Sequence, residues 1–394
     1  MALFPELQPS TRVLLGPGPS NIHPRVMKAM LSSVVGHLDP DFVRVMEGIK
    51  KLLRIVFQTS NEITFPVSGT GSAGMETAMV NLIEDGDEVV VAVNGAFGER
   101  IADDAARLGA KVHRVEAEWG RIVEAERLEA ALKAARQPKL LAVVHAETST
   151  GVHQPVEELG GLAHRYGALM VMDAVTSLGC VPVEIDHWQI DVCYSCTQKG
   201  IGAPPGLAPI TFSERAMQAV RTREQKCRSW YFDIAMIERY WGPDRLYHHT
   251  APISMNYAIY EALRIIVEEG LEARFKRHLA NSAALQAGLQ AMGLELAAQP
   301  GYRLPQLTAV RVPGGIDDAK VRAELLRIFN LEIGAGLGVF KGKIWRIGLM
   351  GESSRRENVM LVLNALETVL AAQGMEIVRA AALVAADNSY NGAS

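Results

Sequence analysis

The sequence predicts an α/β protein, with a large, doubly wound, mostly parallel sheet followed by a smaller C-terminal α+β domain. Three observations carry this prediction. From about residue 62 to 215, apolar runs alternate with amphipathic stretches. The runs are continuous and rich in β-branched residues, as in strands covered by helices on both faces. After residue 215 the alternation stops.

The elements follow in chain order. "EVVVAV" (88–93), "LLAVVHA" (140–146), "ALMVMD" (168–173) and "DVCYS" (191–195) read as strands bounded by turn residues. "GERIADDAARLG" (98–109), "AERLEAALKAAR" (125–136) and "VEELGGLAHRYG" (156–167) read as the helices between them. Helical spacing returns at 254–270 and 283–293, with Gly270 as a C-terminal stop. Short strands are expected at 307–312, 331–336 and 344–351, with helices at 317–329 and 356–374. This divides the chain into an N-terminal arm (1–20), a large domain (21–269) and a small domain (270–394). The last twenty residues are expected to form a loosely held tail. There is no internal repeat and no low-complexity linker.

Composition narrows the function classes. A chain of 394 residues suits two domains, and 48% hydrophobic with 21% charged residues is ordinary for a soluble globular protein. A net charge of -4 supplies no basic field for nucleic acid. Runs such as "LLAVV" (140–144) are too short to span a bilayer, so no membrane partner is expected. The start "MALFPELQPSTR" has no basic region followed by an apolar one, and "YNGAS" is not a peroxisomal address. Four cysteines in so long a chain make no disulfide framework. A reduced, cytoplasmic protein is predicted. Cys193 and Cys196 straddle a strand end without a second pair, so they read as packing residues rather than a redox or zinc site.

Three features point to chemistry. "SGTGSAGMETAMVNLI" (68–83) contains a literal GxGxxG, which suggests a dinucleotide fold. The preceding "EITFPV" is interrupted by Pro66, however, and Glu84, Asp85 and Asp87 come before the next strand, where they cannot meet a ribose. What remains is a Gly/Ser/Thr turn at a helix N-terminus, suited to one phosphate and equally to a plain tight turn. Asp173 ends a strand, where it is either a helix cap or a ligand group. Lys199 stands just past another strand. A phosphate turn, an acid and a lysine at strand ends are what pyridoxal phosphate requires. The lysine binds it covalently, and the acid keeps the pyridine nitrogen protonated.

"LLGPGPSN" (14–21), "VSGTGSAGMETA" (67–78), "HAETSTG" (145–151), "MDAVTSLG" (172–179), "CTQKG" (196–200) and "LYHHT" (246–250) resemble the class V, fold-type I pyridoxal-phosphate aminotransferases. The likeness runs from about residue 12 to 370 and is strongest to the alanine–glyoxylate and serine–glyoxylate branch. It implies Lys199 as the cofactor lysine and Asp173 as the partner of the pyridine nitrogen. It places Val175 on one ring face, Phe97 on the other, and Thr148 beside the ring hydroxyl. Thr70, Gly71, Ser72 and Gln198 would surround the phosphate. Tyr247 and Thr250 would reach the phosphate of a second subunit in a homodimer with shared active sites. Arg346 would grip the substrate carboxylate, with Gly18 and Thr148 bordering the substrate.

On this likeness the expected reaction is ping-pong transamination from a small amino acid, L-alanine first and L-serine next, to glyoxylate or another small 2-oxo acid. Arg346 lies among Ile344, Trp345 and Ile347, so its charge is explained by a structural ion pair or by a substrate carboxylate. No second arginine stands out, which suggests a monocarboxylic donor. Ureidoglycine–glyoxylate aminotransferase is the alternative, although that branch tends to carry glutamine where this chain has His37. Cysteine desulfurase needs a mobile cysteine in the C-terminal half, and the last cysteine here is Cys227. A binding scaffold without cofactor is the reading from another class. The adjacent His248 and His249 are poor metal-ligand spacing, and no metal is assigned.

Overall fold

The computed structural model describes residue 4 and residues 6–392. Its central feature is a seven-stranded sheet of β1 (Ile63–Ser68), β2 (Glu88–Val93), β3 (Lys111–Glu116), β4 (Pro138–Val144), β5 (Leu169–Asp173), β6 (Val192–Tyr194) and β7 (Leu207–Phe212). The spatial order is β1-β7-β6-β5-β4-β2-β3. β3, β2, β4, β5 and β6 run parallel, while β7 is antiparallel to both its neighbours. β5 is buried along its whole length, as is β7, so the sheet is covered on both faces. That explains the uninterrupted apolar runs.

Pro66 does not interrupt its segment. It lies inside β1, opposite Pro209 of β7. β1 is an edge strand with one neighbour, and there a missing N–H costs no interior ladder bond.

The protein holds two large apolar cores. One packs the seven-stranded sheet against its helices, from Val26 to Ile266. The other joins Leu15 to residues between Ala284 and Ala386, with Trp345 fully buried within it. Here β8 (Leu307–Arg311), β9 (Gly334–Ala335) and β10 (Ile344–Gly348) form a three-stranded antiparallel sheet with β10 in the centre. Val13 and Leu14 pair in parallel with Leu331 and Glu332, which fixes the segment that follows beside this core.

The C-terminal residues correct the expectation of a loose tail. Ala381–Gly392 is a helix with Ala382 and Ala386 buried one turn apart. It packs on the long helix Leu271–Ala291, where a Cβ at Gly288 would stand 3.0 Å from the Ala382 carbonyl. Tyr390 donates to Asn281 at 2.7 Å, and Arg356 pairs with Asp387. Among the described residues, no helix is long and apolar enough to cross a membrane.

Candidate active site

The C-terminal ends of the parallel strands open on one cleft, the place where open α/β sheets hold their ligands. Thr70, Gly71, Ser72, Phe97, Asp173, Val175, Gln198 and Lys199 all line it. Eight residues singled out in the sequence, spread over 130 positions, therefore meet.

Asp173 is the last residue of β5 and is buried. Its carboxylate accepts the Val175 N–H at 2.8 Å, so the helix-cap alternative captures part of its role. Burial raises its pKa to about 6. Lys199 sits in the tight turn Thr197–Ile201 that follows β6. It is 7% exposed, and its Nζ donates to the Pro17 carbonyl at 2.7 Å and to the Thr148 hydroxyl at 3.4 Å. Among the described residues no carboxylate lies within ion-pair distance of it, and burial pushes its pKa below that of ordinary lysine.

The turn beneath Lys199 is fixed through its backbone. The Ser20 hydroxyl donates to the Lys199 carbonyl at 2.9 Å. Arg274, itself buried, donates to the carbonyls of Gly200 at 2.6 Å and Gly179 at 2.7 Å, with Glu269 as its charge partner. Gly18 has φ +111, and a Cβ there would stand 3.2 Å from Lys199 Cγ. The absence of a side chain at residue 18 gives the lysine its path into the cleft.

Thr70 precedes the helix Gly71–Leu82, and its side chain makes no capping bond. The first N–H groups of that helix and the Thr70 and Ser72 hydroxyls are therefore free to meet an anion. Gly71 admits no side chain easily, since a Cβ would lie 3.1 Å from Val175 Cγ2. Phe97 opens the helix Ala96–Arg107, and its ring centroid lies 6.0 Å from Lys199 Nζ.

Arg346 projects from β10 and is 6% exposed. Its Nε donates to the Ala335 carbonyl at 2.7 Å, and its Nη1 to the Thr148 carbonyl at 3.3 Å. It makes no ion pair among the described residues, which removes the structural ion pair as an explanation. Burial lowers its pKa to about 10. Thr148 thus touches both Arg346 and Lys199.

Tyr247 and Thr250 do not join this cleft. They are exposed elsewhere on the surface, with Tyr247 donating or accepting across 3.4 Å to Thr250 and its ring tilted at 53° to that of His37.

Several residues were missed in the sequence. Glu147 is fully buried and accepts from the N–H groups of Phe97, Gly98 and Ser149 and from the Ser149 hydroxyl. It ties the Phe97 helix to the segment carrying Thr148, and burial raises its pKa. Its signal was present, since it lies inside "HAETSTG". Tyr194 and Arg100 also line the cleft. Arg100 is exposed, with its Cζ 4.9 Å from the Phe97 ring centroid, and so is not placed comparably to the buried Arg346. It lies three residues past Phe97, one helical turn away.

The residues present fit a phosphorylated pyridine aldehyde. The Gln198 side-chain oxygen is buried in the cleft without a hydrogen-bond partner among the described residues, while the buried Tyr194 hydroxyl has the Asp173 carboxylate beside it. Such an orphaned oxygen asks for a polar occupant. A free helix N-terminus suits its phosphate, Asp173 its ring nitrogen, Val175 and Phe97 its faces, and Lys199 its aldehyde.

Comparison with known proteins decides the family. Residues 13–347 match the family described as aminotransferase class-V. The chain is a class V aminotransferase. The cofactor of this family is pyridoxal 5'-phosphate, and the fold is that of fold-type I enzymes. The chain is 40% identical to the (S)-ureidoglycine–glyoxylate transaminase of Bacillus subtilis, over 98% of this chain and 97% of that protein. It is 42% identical to the alanine–glyoxylate aminotransferase of Callithrix jacchus, over 94% and 90%. The crystal structure of alanine–glyoxylate aminotransferase from Nostoc sp. superposes with a TM-score of 0.91 at 48% identity, covering 93% of this chain and 97% of that one.

Proposed function

We propose that this aminotransferase moves the amino group of a small amino acid, L-alanine first and L-serine next, to glyoxylate, giving pyruvate or hydroxypyruvate and glycine. The observation that carries the reading is the convergence of Arg346 and Lys199 on Thr148. A buried guanidinium without a carboxylate is costly unless a ligand supplies one. An α-carboxylate paired with Arg346 brings the α-carbon within reach of the lysine amine.

When bound, the cofactor supplies an electron sink for the carbanion charge. The chain's residues do the rest. The N–H groups after Thr70, with Ser72 and Gln198, hold the phosphate. Phe97 and Val175 fix the ring plane, and Asp173 holds a proton on the ring nitrogen. Lys199 Nζ, whose charged form burial disfavours, takes the substrate's α-proton and passes it on to the cofactor side. Arg346 orients first the donor's carboxylate and then that of glyoxylate.

Exposed Tyr247 and Thr250 support a homodimer in which they complete a second copy's phosphate site. The exposed Trp230, Leu246, Leu31 and Val34 are consistent with such a contact. A cytoplasmic location belongs to the same proposal. A second reading, with ureidoglycine as donor, is favoured by the near-complete coverage of the Bacillus relative. His37, whose ring lies 5.1 Å from that of Tyr247, is where the two readings differ in residue type.

The test is a panel of half-reactions. Purified holoenzyme is mixed with each donor alone, and conversion to the pyridoxamine form is followed by absorbance. Rapid conversion by alanine and serine is expected. Conversion by ureidoglycine alone would replace this reading with the second.

A further inference from the structure

A chain of hydrogen bonds runs from the phosphate turn to the exposed segment that carries Tyr247 and Thr250. Ser68 ends β1, two residues before Thr70, and its Oγ lies 2.7 Å from His249 Nε2. His249 Nδ1 lies 2.8 Å from His248 Nδ1, and His248 Nε2 lies 3.3 Å from the Trp230 carbonyl. The Trp230 indole stacks on the His248 ring with centroids 4.6 Å apart.

Donor chemistry fixes one end of this chain. A carbonyl only accepts, so His248 Nε2 carries the hydrogen at the Trp230 end. The two Nδ1 atoms share one hydrogen, and His249 Nε2 shares another with the Ser68 hydroxyl. Burial, followed by the proximity of His248 and His37, lowers the His249 pKa to about 4, which keeps that ring neutral. Each polar atom in the line has one partner, and each donor meets an acceptor.

We infer that His249 is a positioning residue. With His248 it forms a strut that ties Tyr247 and Thr250, which serve a second copy's phosphate, to Ser68 at the edge of this copy's own phosphate turn. The inference rests on the cross-subunit reading of Tyr247 and Thr250 given above. Its consequence is that one hydroxyl in each subunit sets cofactor affinity in the other. The Ser68 hydroxyl is engaged with His249, and so leaves phosphate binding to Thr70, Ser72 and the helix N–H groups.

The experiment measures the Kd for pyridoxal phosphate in the full-length protein, with sedimentation to confirm the dimer and thermal unfolding to confirm the fold. Ser68→Ala and His249→Phe should each raise Kd about tenfold, the scale of one lost hydrogen bond. Ser68→Thr keeps the donor and should remain near the original value. Unchanged Kd in Ser68→Ala and His249→Phe, alongside a raised Kd in Thr250→Val, overturns the strut and leaves the cross-subunit reading standing. Unchanged Kd in Thr250→Val overturns that reading, and the strut with it. If His249→Phe unfolds, Ser68→Ala against Ser68→Thr decides.

Discussion

Lys199 Nζ donates to the carbonyl of Pro17 at 2.7 Å, so the reactive amine is parked on the backbone of the N-terminal segment. Two neutral acceptors, this carbonyl and the Thr148 hydroxyl at 3.4 Å, hold the lysine in place and leave it free of a salt bridge. Gly18, the next residue, leaves room for the lysine stem, since a Cβ there would stand 3.2 Å from Lys199 Cγ. Gly18→Ala should therefore cut kcat by about tenfold or more through strain at positive φ and a displaced Lys199. Steady-state rates at saturating cofactor check this, and a variant with normal kcat would mean that the lysine's path is not set here.

Lys199→Ala should abolish turnover and leave thermal unfolding nearly unchanged. The variant removes the amine that carries the proton and binds the cofactor covalently, while the turn stays held by Ser20 and Arg274. Retained multiple turnover would remove Lys199 from the mechanism.

Arg346→Lys should raise KM for the amino donor and for glyoxylate together, each by about tenfold, because both carboxylates use one planar fork. The fork also loses its bond to the Ala335 carbonyl. Initial-rate kinetics with each substrate varied in turn give the answer. A change in only one of the two constants would separate the carboxylate sites.

Asp173 gives the pH dependence of cofactor binding. Its pKa of about 6 in the cofactor-free cleft means that the carboxylate is protonated below that value and cannot pair with a protonated ring nitrogen. Cofactor affinity should fall as pH drops through 6, and Asp173→Asn should lose that dependence along with most activity. Titrations of the stripped protein from pH 5 to 8 test this. An identical pH profile in the variant would assign the dependence to another group.

His278 acts on stability in the same acidic range. Its Nδ1 donates to the Arg274 carbonyl at 2.8 Å, and its Nε2 accepts the Gly351 N–H at 3.1 Å, so a second proton has no place. Burial lowers its pKa to about 3, against 6.5 in the unfolded chain. The unfolded state therefore binds one proton more between these values. Stability is full above pH 6.5 and is lost as pH falls toward 3, by about 1.4 kcal/mol per pH unit for this group. Asp173 opposes it in the cofactor-free protein, because a raised carboxylate pKa favours the folded state below about pH 6. His278→Gln should flatten the decline in urea midpoints between pH 6 and 4; an unchanged slope would place the lost proton elsewhere.

Much of the site was legible because its parts are short and local. The lysine, the acid and the phosphate turn each sit at a strand end, and strand ends can be read from runs of apolar residues. Arg346 was legible as a charge among Ile344, Trp345 and Ile347. Residues acting through tertiary contact were not. Arg274 reads as one of several charges in "LEARFKRH", and only folding places Gly179 and Gly200 against it. The helix at 381–392 was missed because its buried face is alanine, which leaves little hydrophobic contrast for periodicity to detect. Pro66 misled because a strand's place at the sheet edge is not written in its own sequence.

The C-terminal helix lies on the same long helix that sends Arg274 to the lysine turn. The end of the chain is thus mechanically continuous with its reactive amine, although it contributes nothing to the cleft lining. A purification tag or fusion partner attached after residue 394 would load that continuity, and the same addition at the N-terminus would pull instead on the segment whose Pro17 carbonyl holds Lys199.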